Sequence, residues 1–231
     1  MSLYIYAPVL QPGTKELIEL LQAKRLRKHD GMHFLHKGTP IDFSPVDVIV
    51  CWGSHVPAPN KVNGLNCSLS YNSLLGLNVR GLAELNKLGY VVLIPSPLRQ
   101  EDYQAGLCKG DWPSRAPKSG YVSLPEFEGY GTNYYKFEVR DDVAVFRGEV
   151  LNQVQSILLR DVAIGAAKHL GLDFGVFSCG LVNGTPVLYK IQTAPALDDK
   201  GLKLFSKRIA AWAKSVGEFN ATAGKYEELL R

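Results

Sequence analysis

Residues 163–175 read AIGAAKHLGLDFG, and residues 188–197 read LYKIQTAPAL. Their reading decides the fold of the second half of the chain. Ile164, Ala167 and Leu170 recur at helical spacing, so they share one face of a helix. Asp161 is expected to cap its start and Gly171 its end. An aspartate accepts the free N–H groups of a first turn, and a glycine adopts the left-handed backbone that follows a last one. Two apolar runs come next, 174–179 and 186–192, on either side of Asn183-Gly184. Asn-Gly is the strongest short hairpin signal, because both residues tolerate the positive φ of a tight primed turn. A helix therefore leads into a hairpin. Its returning strand carries Lys190 and Gln192 and runs on into Thr193-Ala194-Pro195.

Upstream of the helix, 134–140 and 143–146 read as strands. Residues 150–157 would pair with the latter across the turn Arg147-Gly148-Glu149. Residues 95–120 are rich in Pro, Gly and charge and read as linker and loop. The first part differs in character. Residues 3–7 (LYIYA), 47–52 (DVIVCW) and 90–94 (YVVLI) are short strand-like runs. The second is almost wholly apolar, as suits a parallel strand buried on both faces. Between them lie a helix opened at Thr14 and ending before Gly31, a polar loop with Pro57, Pro59 and Gly64, and a leucine-spaced helix over 74–88. This alternation predicts a small parallel-sheet α/β lobe over residues 1–95, followed by an α+β region over 96–231 that ends in a helix over 201–216.

Composition narrows the function classes. With 231 residues, 46% hydrophobic and 21% charged, the chain can bury a core without disulfide or metal staples. No run approaches the ~20 apolar residues of a membrane helix. The first residues lack the basic and small-residue pattern of a secretory signal, and Cys51, Cys67, Cys108 and Cys179 show no C-x-x-C spacing. Reduced thiols in a cytoplasmic protein are the expectation. The net charge of +4 suits an anionic ligand such as a nucleotide. The one dense basic run, 24–28 (KRLRK), reads as the solvated last turn of the first helix, with a phosphate or nucleic-acid patch as the alternative.

The stretch 163–175 with Thr193-Ala194-Pro195 and Leu197 resembles the C-terminal core of ATP-grasp proteins. It is most similar to the compact phage and bacterial type grouped with carboxylate–amine ligases. Looser likenesses extend outward. Cys51-Trp52-Gly53 and Leu65-Asn66 resemble positions of the family's leading lobe. Trp112-Pro113-Ser114-Arg115 and Lys118-Ser119-Gly120 resemble a nucleotide-lobe strand and its flexible loop. Glu138-Val139-Arg140 resembles a further strand of that lobe, with Asp141-Asp142 as extra residues. The resemblance implies a pre-ATP-grasp-like lobe over 1–95 and ATP-grasp-like nucleotide lobes over 96–231. It implies ATP as cofactor, with Arg115, Lys118, Glu138, Arg140 and Lys190 as nucleotide-contact positions. Mg²⁺ is normally held there by carboxylates and an amide oxygen. A substrate carboxylate becomes an acyl phosphate, which an amine then attacks.

The sequence departs from that pattern at the metal positions. Ser178 stands where an acid is expected, Lys190 replaces a glutamate and Gln192 an asparagine. An ammonium within ~4 Å of a divalent cation costs several kcal/mol. Either Lys190 stands in for the metal, or metal binding is lost. Two functions follow from the resemblance: an ATP-dependent carboxylate–amine ligase with an altered metal site, or a catalytically inactive module that binds a nucleotide, a protein or a nucleic acid. Asp173 and Asp198-Asp199 are nearby carboxylates that could shift into the metal role. His29, His33 and His36 read as loop histidines rather than a zinc site. Cys108 lacks an identifiable histidine partner, Asp141-Asp142 reads as a turn, and Tyr130, Tyr134, Tyr135 and Phe137 read as strand packing.

Overall fold

The computed structural model describes residues 1–30, 32–59, 62–67, 77–92, 129–136, 142–147 and 153–229. They form two compact units, one of residues 1–73 with 193–231 and one of residues 74–192.

The first unit is organised around a parallel sheet. Strand β1 (Leu3–Tyr6) pairs with β2 (Lys24–Leu26) on one side and β6 (Val48–Cys51) on the other, and β7 (Asn63–Leu65) extends the sheet beyond β6. Ile5, Val48, Ile49, Val50 and Cys51 are completely buried. Each aliphatic side chain so buried contributes about 1.5–3 kcal/mol, which is why this run is apolar without a break. The strand β7 lies inside the stretch expected as a polar loop. It is only three residues long and begins with Asn63-Gly64, so no alternation announces it. A small antiparallel sheet of β3 (Lys28–His29), β4 (Phe34–His36) and β5 (Thr39–Pro40) follows β2.

Helix α1 (Thr14–Leu20) corrects two expectations. Its N-cap is Gly13, at φ 79, and Thr14 is instead a buried helical residue. The helix also ends ten residues earlier than expected. Gln22 turns left-handed at φ 51, its N–H donating to Glu19 O and that of Ala23 to Ile18 O. This is the paired 6→1 and 5→2 closure that normally uses glycine. Residues 24–26 and 28–29 therefore form strands where a last helical turn is expected. His29 and His36 lie in strands too, with His29 edge-on to Phe34 at 4.8 Å between ring centres.

The last helix of the first unit, α4 (Asp199–Leu229), is longer than expected and includes most of the polar tail. Asp198 caps it, accepting the Gly201 N–H at 2.8 Å. Phe205, Ile209, Trp212 and Ala213 form its buried stripe, with Phe205 edge-on to Trp52 at 5.2 Å. No helix among the described residues is long and apolar enough to cross a membrane.

The second unit has a sheet in the order β11-β10-β8-β9, with β8 (Gly129–Lys136), β9 (Asp142–Arg147), β10 (Val176–Val182) and β11 (Thr185–Gln192), all antiparallel. A π-helical turn, Leu77–Gly81, leads into α2 (Leu82–Lys87) within the expected leucine-rich helix. Helix α3 (Gln153–His169) overturns the expected second hairpin. Residues 153–157 are helical and β9 pairs with β8. Asp161 is mid-helix, exposed and bonded to Arg160. Leu159, Ala163, Ala166, Ala167 and Leu170 are the buried positions. Their period is helical throughout, so the apolar content of 153–157 belongs to a helix start. The helix closes as expected at Gly171, φ 64, where Gly171 N–H donates to Lys168 O and Leu172 N–H to Ala167 O. Val92 makes a parallel bridge to Leu188 of β11, so the run beginning at Tyr90 joins this sheet and not the N-terminal one.

Candidate functional site

Among the described residues, the β10–β11 hairpin collects the positions singled out by sequence. Asn183 (φ 49) and Gly184 (φ 71) make its turn. Ser178 pairs directly with Lys190, and Val176 with Gln192. Alternation then puts Ser178, Lys190 and Gln192 on one face. Phe177 and Ile191, paired with each other, lie on the opposite face with Cys179 and Leu181, all completely buried. Helix α3 packs against this sheet.

The polar face is graded in exposure: Ser178 is buried, Gln192 half-buried and Lys190 exposed. Register breaks flank Ser178 on both sides. One lies between Ser178 and Cys179 against β11, and one between Phe177 and Ser178 against β8. Bulges re-aim side chains and bend strands locally, and they concentrate beside functional sites. Ser178 also pairs with Thr132, and Thr132 with Arg147. One row across the sheet thus runs Arg147, Thr132, Ser178, Lys190, with a basic residue at each edge strand. Arg147 was not among the residues selected from sequence, because only register reveals its place in the row.

The outer edge of β11 is fixed by a residue that sequence reasoning also missed. Asn78 Nδ2 donates to Ile191 O at 2.6 Å, and Ile191 N–H donates to Asn78 Oδ1 at 2.8 Å. The side-chain amide thus completes the pairing of an edge residue as a neighbouring strand would. Leu188 N–H donates to Val91 O at 3.0 Å. These bonds hold the backbone on either side of Lys190. Asn78 sits in a leucine-rich run whose spacing signals only helix, so nothing local marks it.

Two other groups named from the sequence are placed by the structure. Burial pushes the Cys179 thiol far above its ordinary range, and the protonated thiol is a poor nucleophile. Asp198 is engaged as the cap of α4. The nucleotide-contact positions Arg115, Lys118, Glu138 and Arg140 lie outside the described residues, as do Cys108, Asp141, Phe137, the linker 95–120 and the turn 148–149.

In the first unit, the TAPAL segment is a structural tie. The Thr193 hydroxyl lies 2.7 Å from His55 Nε2, both residues being buried. Leu197 N–H donates to Pro12 O at 2.9 Å. A Cβ on Gly13 would come within 2.5 Å of Leu197 O. Gly13 is therefore required twice, for its positive φ and for this approach.

By sequence, the chain matches no family model and no curated protein. By structure, it is similar to the D-alanine–D-alanine ligase of Aeromonas hydrophila, with TM-score 0.55 and 11% identity over 94% of this chain and 99% of that one. The ATP complex of the Bacillus anthracis D-alanine–D-alanine ligase gives TM-score 0.51 and 10% identity over 98% and 99%. The chain has the ATP-grasp fold. At these identities the likeness is one of fold. The expectation of a mixed α/β architecture of ATP-grasp type is met, and the chemistry of this chain has to be argued from its own residues.

Proposed function

We propose that this chain is an ATP-grasp protein of the carboxylate–amine ligase type whose metal site is altered, with Lys190 meeting the nucleotide phosphates. One observation carries this reading. Exposed Lys190 stands opposite Ser178, with Gln192 next on the same face. The three positions offer an ammonium, a hydroxyl and an amide, and no carboxylate. Mg²⁺ takes hard oxygen ligands, carboxylates foremost. An ammonium 4 Å from each unit of positive charge opposes binding by about 4 kcal/mol at an effective dielectric constant of 20. The donor set does not fit Mg²⁺. It does fit a phosphate, for which a lysine supplies three donors and a point charge.

The same proposal includes Arg115, Lys118, Glu138 and Arg140 as further nucleotide contacts. It includes the division into a leading lobe over 1–95 and nucleotide lobes over 96–231, a cytoplasmic location and a phage or bacterial source. A second reading, a binding module without turnover, is favoured by the lack of a carboxylate at all three positions.

Calorimetric titration with a non-hydrolysable ATP analogue, with and without Mg²⁺, tests the proposal on the native chain and on Lys190→Glu. The expected result is Mg²⁺-independent binding by the native chain and Mg²⁺-dependent binding by the variant. Native binding that requires Mg²⁺ overturns the role given to Lys190. No binding by either protein overturns the nucleotide site and favours the second reading in its macromolecular form.

A further inference from the structure

A cleft of about 600 Å³ opens in the first unit, lined among the described residues by Arg25, Arg27, Lys28, Leu35, His36 and Lys37, with Gly38. Five of these are basic or can become so, and no described lining residue is acidic. The chain carries 26 Lys and Arg against 22 Asp and Glu. Setting aside Arg25, Arg27, Lys28 and Lys37 leaves 22 against 22. Four full positive charges with no carboxylate among the described lining residues thus face this cleft, in a chain whose net charge is only +4.

Backbone structure gathers that charge. Strand β2 alternates, so Leu26 is buried while Arg25 points the other way, and Lys28 opens β3. Lys37-Gly38 is the two-residue turn joining β4 to β5, with φ 51 and 88. Such turns favour Asn, Asp or Gly at the first position, because a longer side chain is strained there. A lysine is held at the tip against that preference. Arg25 is anchored: its Nε and Nη2 donate to Ala7 O at 3.0 and 2.8 Å, and Nη2 also to Pro8 O at 3.2 Å. Burial, and secondarily the charge of Arg27, holds its guanidinium below its ordinary value. An anion in the cleft relieves that repulsion. Arg27, Lys28 and Lys37 have no carboxylate partner among the described residues. The nearby Asp30 carboxylate is engaged with the N–H groups of Met32 and His33.

We infer that this cleft binds the phosphodiester backbone of a single nucleic-acid strand, through residues other than Lys190. Arg25 and Arg27 are two residues apart on near-extended chain, at most about 7 Å. That spacing suits successive phosphates of an extended strand better than the adjoining phosphates of a small polyphosphate. The lining holds cations and a single histidine ring, so it favours the backbone over the bases and predicts little sequence preference.

The test is fluorescence anisotropy of a short labelled oligothymidylate with the full chain, at about 50 mM and about 200 mM salt. The native chain is expected to bind with a strong salt dependence. The double variant Arg27→Ala/Lys37→Ala changes only exposed side chains. It is expected to bind about tenfold more weakly, with a log–log salt slope shallower by about 1.4, since each phosphate contact on a single strand contributes about 0.7. Lys203→Ala/Lys207→Ala removes the same charge from exposed positions of α4 and should change little. Lys190→Ala should also leave binding unchanged. Equal weakening by the α4 pair, weakening by Lys190→Ala, absence of binding, or displacement by tripolyphosphate at equal phosphate concentration would each overturn the inference.

Discussion

Strands β6 and β11 are built by opposite rules. In β6 the residues Val48, Ile49, Val50 and Cys51 are all fully buried, so both faces of the strand are interior. In β11 Leu188 and Ile191 are fully buried, while Lys190 is exposed and Gln192 half-buried. Around Lys190 one face of β11 supplies packing and the other is open to solvent and ligands. A charge on that open face keeps its hydration. The same charge in β6 would lose it without a partner, at a cost of several kcal/mol. The polar positions of the hairpin are therefore a place where chemistry and folding do not compete.

The sharpest way to break this contrast is to put a charge in each strand. Val50→Asp is expected to cost more than about 4 kcal/mol, the range of buried unpaired charges, and to leave the chain unfolded or aggregated. Lys190→Glu should unfold at the native urea midpoint while its nucleotide binding changes. Equal stability of the two variants in urea would mean that β6 is not closed on both faces.

The next largest effect separates two kinds of glycine. Gly13 and Gly38 both have positive φ, 79 and 88. Only Gly13 faces a close neighbour, Leu197 O at 2.5 Å from a built Cβ, whereas Gly38 has nothing within 4 Å. Gly38→Ala should cost about 1–2 kcal/mol, the left-handed penalty alone. Gly13→Ala should exceed that by at least about 1 kcal/mol, because backbone has to move. Matching losses in chemical denaturation would remove the tie between the Pro12-Gly13 turn and the TAPAL segment.

Asn78 tests the hairpin directly. Asn78→Ala leaves the N–H and C=O of Ile191 without their side-chain partner, at an expected cost of about 1–3 kcal/mol. Hydrogen exchange should accelerate at the Ile191 amide, and binding of an ATP analogue should weaken with it. Unchanged exchange would show that β11 holds its edge without Asn78.

What could be read in the sequence follows the same physical division. β1, β6, the Asn183-Gly184 turn and the Gly171 closure carry their signals within a few residues: continuous apolar burial, or a glycine where φ must be positive. Ser178, Lys190 and Gln192 were legible as a set only through the family resemblance, which marks them as metal positions; register then puts them on one face. Arg147 and Asn78 were not, since register and a cross-chain amide bond join residues distant in sequence. The start of α3 is hidden in the sequence because its first turns expose Val154 and Ile157, which read as strand. The three-residue β7 offers too few positions for any period to show.

The smallest expected effect concerns the end of α1, where the reading failed for a single residue. Gln22 occupies the left-handed position that glycine usually fills, so the sequence shows no stop signal there. A non-glycine residue pays about 1–2 kcal/mol for that conformation. Gln22→Gly removes this strain but adds freedom to the unfolded chain, worth about 0.4–1 kcal/mol in the opposite direction. The net expectation is a gain between about 0 and 1.6 kcal/mol, measurable as a small rise in the urea midpoint with an unchanged slope. Gln22→Ala should show no such gain, because alanine keeps the Cβ that makes the conformation unfavourable. If glycine destabilises instead, contacts of the Gln22 side chain end α1, and the backbone closure at Ile18 and Glu19 is their consequence.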